Sequence, residues 1–253
     1  MLAMIERCQN IVHCSLLRMG LHSHRPVRVP MLTPVHRRKR LHWAPERQNW
    51  TMEQWKKVGW SEESRFLLHH VDGRVRVHRL PGEEMAPGYT MGRKQAGGGS
   101  VMLWAMFCWE TLGPGIHVDV TLTRTTYLNI VANQVHPFMA TVFPDSSGLF
   151  QQDNAPCHTA KIVKEWFEGH DKEFKVLTWP PNSPDLNPID HLWNVLDKQV
   201  QSMEASPHNL QDLKDLMLTS WCQIPQDTFR GLVEYMPRRV RDVLVARGGP
   251  TQY

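Results

Sequence analysis

The chain has 253 residues, 41% hydrophobic and 21% charged, enough for one main domain with a packed core and too apolar for wholesale disorder. Its net charge of +4 is uneven: residues 1–50 hold nine Lys/Arg against two Asp/Glu, a net +7, which leaves −3 for the rest. Five scattered cysteines (Cys8, Cys14, Cys108, Cys157, Cys222) with no Cys-x-x-Cys pair exclude a disulfide framework and a zinc ribbon. No run approaches the roughly 20 apolar residues of a membrane span, and the N-terminus lacks a secretory apolar stretch, so an intracellular setting is expected.

In chain order, Arg25 to Trp50 begins Pro/Arg-rich and becomes a short helical pattern near Thr33, with Pro34 suited to the first turn. Strands are predicted at Val58–Ser64, Arg65–Val71 and Arg74–Leu80, the last two joined by an Asp72-Gly73 hairpin signal. A Gly/Pro-rich loop from Pro81 to Gly99 leads into the apolar strand Ser100–Trp109, which turns through Gly113-Pro114-Gly115 into Ile116–Val120. Helix and strand then alternate: helix from about Thr125 to Val142, strand Gly148–Gln152, helix His158–Glu168, strand Phe174–Thr178, helix Asn187 to about Met203, and two closing helical stretches. A meander followed by alternation predicts an α/β fold with a mixed sheet and helices on both faces, preceded by a short helical arm. The tryptophans Trp104, Trp109, Trp166, Trp179 and Trp193 read most simply as core packing, with Trp179 before Pro180-Pro181 also placed to border a groove.

Three acids fall at strand ends or a helix start: Glu62 in WSEESRF, Asp153 in FQQDNAPCH and Asp190 in SPDLNPIDHLW. Carboxylates converging there suit hard divalent cations, in outline a two-metal phosphoryl-transfer site. Singly, each has a plainer reading, Asp153 capping a turn and Asp185 or Asp190 capping a helix. The adjacent Cys157 and His158 lack a partner at zinc spacing and read as structural. Arg37-Arg38-Lys39-Arg40 on a helical pattern fits phosphate contacts, a nuclear-import signal or a solvated face, with phosphate contact the first reading.

Taken together and in order, WSEESRF, GLFQQDNAPCHTAKIVKEWF and WPPNSPDLNPIDHLWNVLDKQV resemble the catalytic motifs of Tc/mariner transposases, from about Arg25 to the C-terminus. The resemblance implies a ribonuclease H-like fold and a triad on Glu62, Asp153 and Asp190, binding Mg²⁺ or Mn²⁺ and cutting and rejoining double-stranded DNA at terminal inverted repeats and target sites in the nucleus. Only Asp153 is the residue usual in Tc-type members; the first position is normally Asp and the third Glu, although the mariner branch uses Asp in third place. The 36 residues between Asp153 and Asp190 are slightly more than is usual, the excess fitting the Gly169-His170-Asp171 loop. The resemblance also implies residues 1–24 unassigned, 25–52 a remnant of a second helix-turn-helix with its basic linker, 53–203 the catalytic domain and 204–253 a helical extension. It further implies a homodimer, through a loop in Leu80–Ser100. Catalysis is left uncertain by the altered triad: the alternatives are an inactive DNA-binding or dimerising remnant, and a ribonuclease H-like nuclease with another substrate.

Overall fold

The computed structural model describes residues 14–24, 27–68, 77–79, 90–91, 99–119, 121–202 and 207–253. Two compact units emerge, residues 1–31 with 71–96, and residues 32–70 with 97–251. In the first, β1 (His22–His24) pairs antiparallel with β4 (Val77–Arg79), and β2 (Val27–Arg28) pairs parallel with β5 (Thr90–Met91). The predicted Asp72-Gly73 hairpin and nearly all of the Leu80–Ser100 loop lie outside the described residues.

The second unit is built on a five-stranded sheet in the order β7-β6-β3-β8-β9. Its central strand, β3 (Val58–Leu67), runs antiparallel to β6 (Ser100–Phe107), which pairs antiparallel with β7 (Leu112–His117). On its other side β3 runs parallel to β8 (Leu149–Gln151), and β8 to β9 (Lys175–Leu177). The mixed sheet is thus as expected, with two differences. Residues 65–67 prolong the first strand instead of opening a second. The Gly113-Pro114-Gly115 stretch lies inside β7, the turn being made earlier, where the Cys108 amide donates to the Thr111 carbonyl. Gly and Pro at an edge strand are tolerated because its outer rim needs no ladder bonds.

Residues alternate between two cores. One face of β3 and β6 sends Trp60, Phe66, Leu103, Ala105 and Phe107 into a core shared with the helices α6 (Pro188–Gln201), α7 (Leu210–Cys222), α8 (Gln226–Glu234) and α9 (Met236–Val245). The other face, with Trp104 and Met106, packs on α3 (Arg124–Ile130), α4 (His136–Val142) and α5 (Lys161–Gly169). Three helices, not two, follow residue 207. The expected helix from Thr125 to Val142 is interrupted by a π turn, Val131–Val135, in which the His136 amide reaches back to the Val131 carbonyl. Pro137 supplies the cause: it offers no amide, and its ring would crowd the carbonyl four residues back in a regular helix.

The N-terminal arm is part of this unit. Helix α1 (Pro34–Arg47) starts at Thr33, whose hydroxyl accepts from the His36 amide, and is followed by the short α2 (Met52–Lys56). Trp43 joins the main core, donating its indole N–H to the Thr178 carbonyl, and stands edge-on to Trp179 at 5.2 Å. Trp179 also meets Trp60 edge-on at 5.9 Å and is buried, so it belongs to the core and does not border a groove. Residues 32–52 and 207–251 therefore fold with 53–202.

Candidate active site

The register of the sheet brings the acids together. Trp60 on β3 pairs with Gln151 on the parallel neighbour β8. Glu62 stands two residues further along β3, and Asp153 two residues past the end of β8. Glu62 shares the face of Ala105, which is the face covered by α6. Asp190 sits in the first turn of α6, where the helix dipole favours negative charge. The three acids predicted from sequence are thus brought near one another from the middle of β3, the segment just after β8 and the first turn of α6.

Burial pushes the Glu62 carboxyl well above its ordinary range, and the negative charges of Asp190, Glu63 and Asp153 push it the same way. Its Oε2 accepts from Asn187 Nδ2 at 3.1 Å, and the same amide nitrogen donates to the Ser61 carbonyl at 3.1 Å. Asn187 also caps α6 through its Oδ1. One side chain therefore ties the strand bearing Glu62 to the helix bearing Asp190.

Asp153 is held from behind. Its Oδ1 accepts from the Ala155 amide at 2.8 Å and lies 2.6 Å from His158 Nδ1, so among the described residues Oδ2 is left for a cation. His158 is buried, with its Nε2 3.2 Å from Glu63 Oε1 and its ring 3.8 Å from that of Tyr127. Burial works against a charged imidazole, but the hydrogen bonds and charges of Asp153 and Glu63 outweigh it and raise His158 to about 10. For Asp153, burial works upward, and the His158 hydrogen bond and charge bring the carboxyl below its ordinary value. His158 is thus an imidazolium buttress between two carboxylates; Cys157 does not join it, and the structural reading of His158 stands.

The segment leading to Asp190 is anchored more deeply than its sequence suggests. Arg40 on α1 is fully buried and grips Asp185 with two bonds of 2.6 Å; it also donates to Ser183 Oγ and to the Gly248 and Gly249 carbonyls. Asp185 accepts besides from the Thr251 hydroxyl and amide, and Arg239 donates to the Asp185 carbonyl. Arg40 is therefore a structural anchor, which corrects its assignment to DNA: its guanidinium has no route to a phosphate. Arg37, Arg38 and Lys39 are exposed on α1. Asp185 is no helix cap either, since Asn187 fills that role. The supporting roles of Asn187, Arg40 and Arg239 escaped sequence reading; an Asn directly before a first-turn Pro was the one local signal.

Glu62, Asp153 and Asp190 offer carboxylate oxygens, and the crowding that raises Glu62 is what a multivalent cation relieves, so the three acids suit divalent metal ions. Fold and site together define a nuclease of the ribonuclease H-like kind with a carboxylate centre. Comparison with known proteins agrees. Residues 60–214 match the family described as DDE superfamily endonuclease. The chain is 36% identical over 234 residues to the Tcb1 transposase of Caenorhabditis briggsae, covering 92% of this chain and 84% of that protein. It is 35% identical over 238 residues to the Tc1 transposase of Caenorhabditis elegans, covering 94% and 85%. Among solved structures, the mariner Mos1 paired-end complex with Mg superposes with a TM-score of 0.75 at 18% identity, over 96% of this chain and 72% of that one. The Mos1 catalytic domain gives 0.67 at 15% identity, over 88% and 100%. The chain belongs to the DDE superfamily of endonucleases, as a transposase of the Tc/mariner group, and the activity of that group is DNA strand cleavage and strand transfer.

Proposed function

We propose that Glu62, Asp153 and Asp190 together hold Mg²⁺ or Mn²⁺ and that this centre cleaves and rejoins double-stranded DNA at terminal inverted repeats and target sites. The placement carries the reading: the middle of β3, the segment after β8 and the first turn of α6 bring three carboxyls close enough to raise Glu62, a crowding that a cation relieves. Bound there, divalent ions would activate a water or a 3′-hydroxyl and neutralise the leaving oxygen. The chain's own residues do the positioning. Asn187 sets the rotation of Glu62, His158 turns Asp153 Oδ2 outward, and the Arg40–Asp185 anchor fixes the start of α6 and with it Asp190.

The DNA backbone would be met through charge by Arg37, Arg38 and Lys39, which stand exposed on α1. Nuclear residence follows from chromosomal DNA as substrate. Homodimerisation belongs to the same proposal, by family likeness. No helix among the described residues is long and apolar enough to cross a membrane.

Glu62 has one methylene more, and Asp190 one fewer, than the residues usual at these places in Tc-type members. A carboxylate displaced by about 1 Å can cost roughly 100-fold in rate, so the paired substitution Glu62→Asp with Asp190→Glu is expected to raise cleavage of labelled terminal-repeat DNA. Equal cleavage by the double variant would show that these two positions do not limit the rate. Binding without cleavage in both would favour the inactive remnant, and cutting confined to RNA–DNA hybrids would favour a nuclease with another substrate.

A further inference from the structure

A second cluster of metal-ligating side chains stands apart from the carboxylate centre. His136, His170 and Glu173 each place one ligand atom within 4.8 Å of the other two. They come from two places on the face packed by α3, α4 and α5: His136 opens α4 directly after the π turn, and His170 and Glu173 lie in the loop between α5 and β9.

Local chemistry prepares these groups as ligands. His170 Nδ1 lies 2.7 Å from the Trp166 carbonyl oxygen, to which it can only donate, so its lone pair is on Nε2. A histidine that gives one ring N–H to a carbonyl is the usual arrangement behind a metal-bound imidazole, since the bond sets tautomer and raises basicity. The His170 ring stacks on Trp166 at 3.9 Å and 15°, and the His136 ring stands edge-on to the same indole at 5.8 Å. Glu173 Oε2 lies 2.6 Å from His136 Nε2, and the Glu173 amide donates to the His170 carbonyl, which holds the loop as a tight turn. The π turn is what gives His136 its angular position on the helix. Half-exposed imidazoles and an exposed carboxylate leave the outer side to water.

We propose that His136, His170 and Glu173 form a His₂Glu site for a borderline transition-metal cation of the Zn²⁺ class, with water completing a tetrahedron. Two nitrogens and one oxygen select Zn²⁺, Co²⁺ or Ni²⁺ over Mg²⁺, the reverse of the all-oxygen centre at Glu62, Asp153 and Asp190. Bond lengths of about 2.0–2.1 Å require Glu173 Oε2, now 2.6 Å from His136 Nε2, to give up that hydrogen bond and swing slightly outward while His170 draws in, movements of loop side chains that leave α4 in place. The ion would clip α4 to the edge strand β9, whose neighbour β8 leads to Asp153.

The test is Co²⁺ titration of the full chain in excess Mg²⁺, so that the carboxylate centre is filled by a cation it prefers. One equivalent of Co²⁺ giving the intense visible d–d bands of four-coordination, displaced by Zn²⁺, is expected. His170→Gln and Glu173→Gln should each weaken Co²⁺ binding by at least the roughly 10–100-fold that even a lost supporting bond costs, while melting of the metal-free variants stays close to that of the parent. Zn²⁺ should raise the melting temperature of the parent and not of the variants. Absence of the four-coordinate bands, or bands that survive both substitutions, or bands lost instead in Asp153→Asn, would overturn the site.

Discussion

Glu62 is where function and stability pull hardest against each other. Its folded-state pKa is raised by burial and by three neighbouring carboxylates. A carboxyl raised on folding stabilises the fold when protonated, and that contribution is lost as pH climbs through the raised value. In the metal-free chain Glu62→Gln is therefore expected to melt higher than the parent at neutral pH, by about 0.5–2 kcal/mol, while losing cleavage; a lower melting temperature would show that Glu62 is not under electrostatic load. Bound Mn²⁺ should stabilise the parent more at neutral pH than in mild acid, where protons compete for the same oxygens. His158 runs to higher pH: raised to about 10, it stabilises fully below its ordinary 6.5, and the contribution fades as pH rises through 10. A thermal-melt series across that window, compared with His158→Gln, checks it, since the variant should lose this alkaline limb.

At the scale of elements, α1 and the C-terminal turn lock the start of α6. Arg40 and Asp185 are both fully buried, so removing one partner strands a charge: Arg40→Met is expected to cost about 3–5 kcal/mol in denaturant melts. A phosphate-contacting arginine, by contrast, would leave stability unchanged and weaken DNA binding alone. Gly248 adopts φ +75 beside the Arg37 carbonyl, where a methyl would collide with backbone, so Gly248→Ala should cost about 1–3 kcal/mol by the same measurement. These elements also show how much could be read beforehand. The alternation of helix and strand after residue 125 was legible because each segment carries its own period, with Asn187 and Asn209 capping two of the helices. Arg40 was not, because a basic run on a helix reads as one surface when the buried member is chosen by a partner 145 residues away. The turn at Cys108–Thr111 was hidden by Gly113-Pro114-Gly115, a stronger local signal that an edge strand absorbs. The π turn was hidden by an otherwise continuous helical pattern around Pro137.

For the whole molecule, three acids distant in sequence become one site through the parallel pairing of β3 with β8 and the laying of α6 across the strand that bears Glu62. Motif order pointed to these three acids, and the contacts around them were not legible, since Asn187 and His158 act through contacts that no local pattern encodes. Metal-dependent DNA cleavage at this centre is the proposed activity, and Asp153, the triad member usual for Tc-type chemistry, is its sharpest probe. Cleavage of end-labelled terminal-repeat DNA with Mn²⁺ should be measured for the parent chain and for Asp153→Asn, each checked for folding by its thermal melt. Mn²⁺-dependent strand cleavage by the parent is expected, with its loss by about 100-fold or more in Asp153→Asn. Cleavage undiminished by that substitution, or a folded parent that binds the DNA and never cuts it, would contradict it.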